Sequence, residues 1–93
     1  MTPFDLTKTY PFNNTTWRSV EAVYVIMNAK SQIIYVGQTE DLKRRMDEHR
    51  SDKNHAMHRY SPALVAVEQI ATEATRRARE TELVAAWSPP ANK

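Results

Sequence analysis

Cysteine is absent from this 93-residue chain, and glycine occurs only once. Without cysteine there is no disulfide and no thiolate metal site, which fits an intracellular, cytoplasmic protein. No apolar run approaches the ~20 residues of a membrane span, so no membrane association is expected. Met1-Thr2-Pro3-Phe4-Asp5 lacks the basic stretch and following apolar run of a secretory signal. Repeats and low-complexity segments are missing too. Neither sign of charge dominates: 13 Lys and Arg face 11 Asp and Glu, a formal charge of +2. At 41% hydrophobic and 26% charged residues, the chain can bury one modest core and is not disordered.

The glycine shortage directs attention to the one that remains. Average usage would supply roughly six more. Gly37 stands where an apolar strand pattern, Ile33-Ile34-Tyr35-Val36, gives way to a helical one. A glycine there implies a special backbone angle or a close approach by another group.

Charge is unevenly spread. Between Lys43 and Arg59 lie six Lys or Arg and all three histidines, against Asp47, Glu48 and Asp52. Such a local basic patch suits a phosphate-bearing partner, and a solvated helix face of mixed charge fits it equally well.

Periodicity sets the elements. Residues 1–19 form a polar arm whose Phe4, Tyr10, Phe12 and Trp17 are expected to pack onto a domain spanning 20–93. Glu21–Asn28 and Gln32–Gly37 read as two strands of a β-hairpin. A turn centred on Ala29-Lys30 puts Tyr24 directly across from Tyr35 on one face. A two-residue turn of that composition is poor, so a four-residue loop in the same register serves as well. Thr39 is placed to cap a helix from Glu40-Asp41 to about Arg50. Residues 51–62 form a connection, and Leu64–Ile70 a third strand. Thr72 caps a last helix to about Trp87, stopped by Pro89-Pro90. The order β-β-α-β-α predicts an α+β domain, a three-stranded, mostly antiparallel sheet flanked by helices.

Helical geometry, at about 100° per residue, sorts the polar side chains. Arg45 and His49 fall within roughly 60° of Leu42 and flank the buried stripe of the first helix. On the last helix Glu80 falls between Val84 and Trp87, and Glu82 on the opposite side. A carboxylate on an apolar face costs free energy unless it finds a partner or a metal, which makes Glu80 the suspect. Bland alternatives exist for each residue. Tyr24 and Tyr35 fit a cross-strand aromatic pair, Arg45 and Glu80 a buried salt bridge, His49 a core-edge polar residue. Trp17 and Trp87 read as core. His55 and His58 have no third ligand beside them and read as loop residues rather than metal ligands.

From about Val20 to Asn92, the chain resembles the GIY-YIG nuclease domain superfamily. The first motif appears as Ala22-Val23-Tyr24 and the second as Tyr35-Val36-Gly37. Arg45 matches the family arginine, His49 a position often held by histidine, and Glu80 the family glutamate. Pro89 and Asn92 follow as the closing proline and asparagine do in the family. Ala22 departs from the family's first glycine, which bears on backbone geometry rather than on chemistry.

The resemblance implies a metal-dependent DNA endonuclease using one Mg²⁺ or Mn²⁺ ion, in DNA repair or recombination. Glu80 would hold the ion, Arg45 the phosphate, and Tyr24 would activate or position the attacking water; for it to act as a base near pH 7, its ordinary pKa of about 10 must fall or His49 must take the proton onward. Tyr35 would orient water and phosphate, and Asn92 would fix the C-terminal tail near the tyrosines. Lys43, Arg44, Arg50, Lys53 and Arg59 are candidates for sequence-independent DNA contacts. A catalytically silent nucleic-acid-binding module of the same fold is the alternative, and a purely structural domain a third reading. The chain leaves no room for a targeting module, so selectivity is expected to be weak or structural unless it forms a homodimer or works with a separate targeting protein.

Overall fold

The computed structural model describes residues 3–93. Four strands and two helices follow one another: β1 (Tyr10–Pro11), β2 (Ala22–Met27), β3 (Ile33–Thr39), α1 (Leu42–Ser51), β4 (Leu64–Gln69) and α2 (Glu73–Trp87). Short 3-10 turns cover Ala56–Tyr60 and Pro90–Asn92. The sheet is antiparallel in the order β1-β4-β2-β3. It has four strands where the sequence predicted three. The extra one comes from the arm, where Tyr10 pairs with Val65 and Pro11 with Leu64. Two residues carry no readable alternation, and Pro11, lacking an N–H, is tolerated at a sheet edge.

β2 lies between β4 and β3, and all six of its residues are buried. Its alternating side chains supply two cores. Tyr24 and Ile26 join Phe12, Trp17, Ile34, Leu42, Met46 and Met57 on the α1 face. Val23, Val25 and Met27 join Phe4, Val36, Ala66 and Leu83 on the α2 face, with Val84 and Trp87 packed against them. The arm contributes to both cores through Phe4, Phe12 and Trp17, while Tyr10 stays 48% exposed.

The hairpin register differs from the expected one by two residues. Tyr24 pairs with Gly37, and Tyr35 with Ile26. A slip of two keeps both tyrosines on one face. The cause is local. The loop is organised by Asn28, whose Oδ1 accepts from the N–H groups of Lys30 and Gln32, with Ser31 in the left-handed region. Past it, Met27 pairs with Ile33 and Ile26 with Tyr35, so Ile34 is the added residue of a bulge.

The first helix also starts later than predicted. Thr39 ends β3, and its Oγ1 accepts from the Asp41 N–H. Asp41 is the cap, its Oδ1 accepting from the Arg44 N–H at 3.1 Å. Thr72 does cap α2 by position, but its side chain makes no capping bond.

Candidate active site

The single glycine explains how the site is assembled. Its φ is not in the left-handed region, so backbone freedom is not the reason for it. A Cβ on Gly37 would overlap the Oη and Cζ of Tyr24 and lie 2.9 Å from its Cε2. The bare backbone of β3 is what lets the Tyr24 ring lie flat across its partner strand. Close approach, one of the two sequence readings, is therefore the correct one.

Tyr24 is completely buried, and its Oη lies 2.7 Å from His49 Nε2 on α1. The Tyr35 ring sits 6.2 Å from Tyr24 and 5.6 Å from His49, centroid to centroid. Burial, then the neighbouring Tyr35, pushes the Tyr24 hydroxyl above the ordinary phenol range; Arg45 opposes the shift. Burial, with Arg45, His55 and His58 adding to it, pushes His49 down to about 3. At neutral pH, His49 is thus neutral and Tyr24 protonated. With the imidazole proton on Nδ1, the shared hydrogen bond runs from the tyrosine O–H to Nε2.

Arg45 lies one turn before His49. Burial works against its charge, but Tyr24, Glu48 and Tyr35 around it more than restore the protonated form. Its ion pair is with Glu48, at 3.2 Å and largely exposed, and contributes little to stability. Among the described residues Arg45 makes no ion pair with Glu80, so the buried salt bridge weighed from sequence does not form. Glu80 is half-buried on α2. Burial raises its carboxyl above the ordinary value, while the backbone N–H of Gln38 and the charges of Arg77 and Arg45 pull it back. Glu82 is exposed and pairs with Arg79 at 2.8 Å. Asn92 closes the site from the C-terminal turn: its Oδ1 accepts from the Val36 N–H at 2.8 Å and its Nδ2 donates to the Val36 C=O at 2.9 Å. It thereby replaces a missing neighbour strand beside the Tyr35-Val36-Gly37 segment.

The five basic candidates divide. Lys43 pairs with Asp47, and Arg44 with Glu40. Arg50 is a tether for the arm: it reaches Asp47 at 2.6 Å and the carbonyls of Asn13 and Thr15. Lys53 and Arg59 are exposed.

The sequence reading missed two buried arginines and a histidine. Arg76 donates to Gln38, Glu21 and the carbonyls of Ile70 and Ala71; Arg79 clasps Glu68 with Nε and an amino group. Both sit on the side of α2 facing the sheet; Arg76 finds its partners outside the helix, and Arg79 joins Glu68 of β4 as well as Glu82 of its own helix. His55, set aside as a loop residue, packs its ring 5.0 Å from Tyr35 and 5.2 Å from His49.

The sequence pattern of the GIY-YIG catalytic domain matches residues 21–91. The chain belongs to the GIY-YIG family. Two solved structures share its fold, both tyrosine-to-phenylalanine point mutants of the GIY-YIG N-terminal endonuclease domain of UvrC from Thermotoga maritima. One has a TM-score of 0.69 at 19% identity, the other 0.68 at 18%; each alignment covers 82% of this chain and 86% of that one. Each of those mutants holds its catalytic divalent cation. No curated protein sequence matches the chain.

The donor set suits one kind of ion. Among the described residues, no three His, Asp or Glu side chains gather as a metal cage. A single half-buried carboxylate fits a hard cation that keeps most of its waters, and not a tightly held zinc. Glu80 is the residue here that would hold it.

Proposed function

We propose that this GIY-YIG nuclease domain is a metal-dependent endonuclease that hydrolyses DNA phosphodiester bonds at the Tyr24, Tyr35, Arg45, His49, Glu80 and Asn92 site. The observation that carries the reading is the Tyr24–His49 hydrogen bond, buried beneath the Arg45 guanidinium. Burying a protonated phenol against a neutral imidazole has an evident use in proton transfer.

A divalent cation on Glu80, with Mg²⁺ or Mn²⁺ the expected ions, would stabilise negative charge on the phosphate and the leaving oxygen. The protein's own groups do the rest. Arg45 offers a fixed fork of donors to a phosphate oxygen. Tyr24 Oη accepts a proton from the attacking water as its own passes to His49 Nε2. Arg45 depresses the proton affinity of His49, and a bound phosphate offsets that charge, so His49 becomes a better base once substrate arrives. Tyr35 borders the same oxygen and narrows where the water can sit. Lys43, Arg44, Lys53 and Arg59 would hold the rest of the DNA backbone, with salt-dependent affinity. A homodimer or a separate targeting protein would supply selectivity.

The test is nicking of supercoiled plasmid and branched oligonucleotides in Mg²⁺, Mn²⁺ or chelator. Metal-dependent nicking is the expected result. DNA bound without cleavage in either ion would favour the silent binding module instead.

A further inference from the structure

Beside the tyrosines stands a second imidazole that this mechanism leaves idle. His55 precedes the 3-10 turn Ala56–Tyr60 as its cap, and its Nδ1 accepts from the Met57 N–H at 3.1 Å. An accepting Nδ1 carries no proton, so the neutral ring carries it on Nε2. The ring is wedged nearly perpendicular to both Tyr35 and His49, at 87° and 83°. Its orientation is thus set on three sides: two rings and one backbone N–H. The Nε2–H makes no hydrogen bond among the described residues. Nor is it sealed in, since only Trp17 Nε1 is both enclosed and unbonded among them. Burial and the nearby Arg45 lower the proton affinity of His55, which keeps the ring in this neutral form. His58 differs in every respect: its Nε2 donates to the His49 carbonyl at 2.7 Å and is spent on structure.

We infer that His55 is a substrate-contacting residue whose Nε2–H donates a hydrogen bond to a phosphate oxygen of the bound strand, next to Tyr35. The inference rests on the nuclease reading of the same site and adds a ligand to it. A neutral imidazole has no spare proton to give a leaving group, so its part is to hold the phosphate. A donor already held in place costs little to use, because no rotamer must be frozen on binding.

Two substitutions separate this role from capping. In His55→Asn the amide oxygen can still cap the Met57 N–H, a position asparagine favours, but the distal donor is gone. In His55→Gln the longer side chain carries a donor close to where Nε2–H stood and gives up the cap. Binding of a fluorescent DNA duplex in chelator and thermal unfolding are measured for both variants and the parent, and nicking in Mg²⁺ follows. The expected result is a His55→Asn protein with the parent's Tm, about tenfold weaker DNA binding and a raised KM. Its salt dependence should match the parent's, because a neutral donor displaces no counterion. His55→Gln should bind near the parent's level despite a lower Tm. Parental binding by His55→Asn, or losses in both variants that follow Tm, would overturn the inference. If the parent itself does not nick, the nuclease reading fails, while the binding comparison still decides the role of His55.

Discussion

Gly37→Ala is the sharpest structural perturbation this chain offers. Elsewhere in a regular element, replacing glycine by alanine stabilises by about 0.4–1 kcal/mol, since the unfolded chain loses freedom. Gly37 is buried without a left-handed φ, so that gain is available here. Against it stands the overlap of the new methyl with the Tyr24 ring. Tyr24 is completely buried and packed among Ile26, Met46 and Met57, and so has nowhere to retreat. Forcing an extra carbon into such a core costs about 1–3 kcal/mol. The net expectation is a loss of about 1–2 kcal/mol, and in a domain of this size each kcal/mol lowers Tm by roughly 4–8 °C. The cause can be isolated with Tyr24→Leu, which removes the Oη, Cζ and Cε2 atoms that the methyl would meet. In that background Gly37→Ala should be neutral or stabilising. The assay is urea unfolding of the four proteins in the cycle. An equal cost in both backgrounds, or a stabilised Gly37→Ala single variant, would refute the close-approach account.

Three further outcomes follow from the site. His49 is held at about 3 in the folded chain against an ordinary 6.5, so the unfolded chain takes the proton first as pH falls. Its stabilising contribution is present above pH 6.5 and lost towards pH 3, by up to about 1.4 kcal/mol per pH unit; urea midpoints at pH 7 and 4.5 should show a steeper decline for the parent than for His49→Gln, and parallel declines would contradict the assignment. Asn92→Ala strands the Val36 N–H and C=O at a cost of about 1–3 kcal/mol, so the Val36 amide should exchange faster with solvent; unchanged exchange would show that another group satisfies it. Because burial raises the Glu80 carboxyl in the metal-free chain, Mg²⁺ affinity, read by calorimetry, should weaken on the acid side already at a pH above the ordinary glutamate value; affinity that holds down to that value would place the Glu80 carboxylate in open water.

Much of this architecture was legible in the residues, and the exceptions share a cause. The alternation of Val23, Val25 and Met27 with Tyr24 and Ile26 marked β2, and helical spacing put Arg45 and His49 beside Leu42 and singled out Glu80 from Glu82. These are within-element patterns, and they hold because period and face are set locally. The hairpin register was not legible. It depends on Asn28 gathering the N–H groups of Lys30 and Gln32, and on an added residue at Ile34, neither of which the apolar pattern encodes. β1 was not legible because two residues at an edge have no period. Arg76 and Arg79 were hidden for a third reason: Glu21, Gln38 and Glu68 lie far away in sequence. His55 followed no helical or strand period, and only the folded chain brings it against Tyr35. Its sequence signal was limited to a position two residues before Met57, where a side chain can cap a turn.

The most direct test of the central claim compares the parent with Glu80→Ala on supercoiled plasmid in Mg²⁺ and Mn²⁺, with thermal unfolding and DNA binding measured alongside. Glu80 is half-buried, forms no ion pair among the described residues and accepts one backbone hydrogen bond, from Gln38, so its removal should cost only about 1 kcal/mol, leaving the protein folded and DNA binding near the parent's. Nicking by the parent, abolished in the variant and by chelator, is the predicted result. Undiminished nicking in a folded Glu80→Ala protein would contradict the account, and collapse of the fold would make Glu80 a structural residue instead.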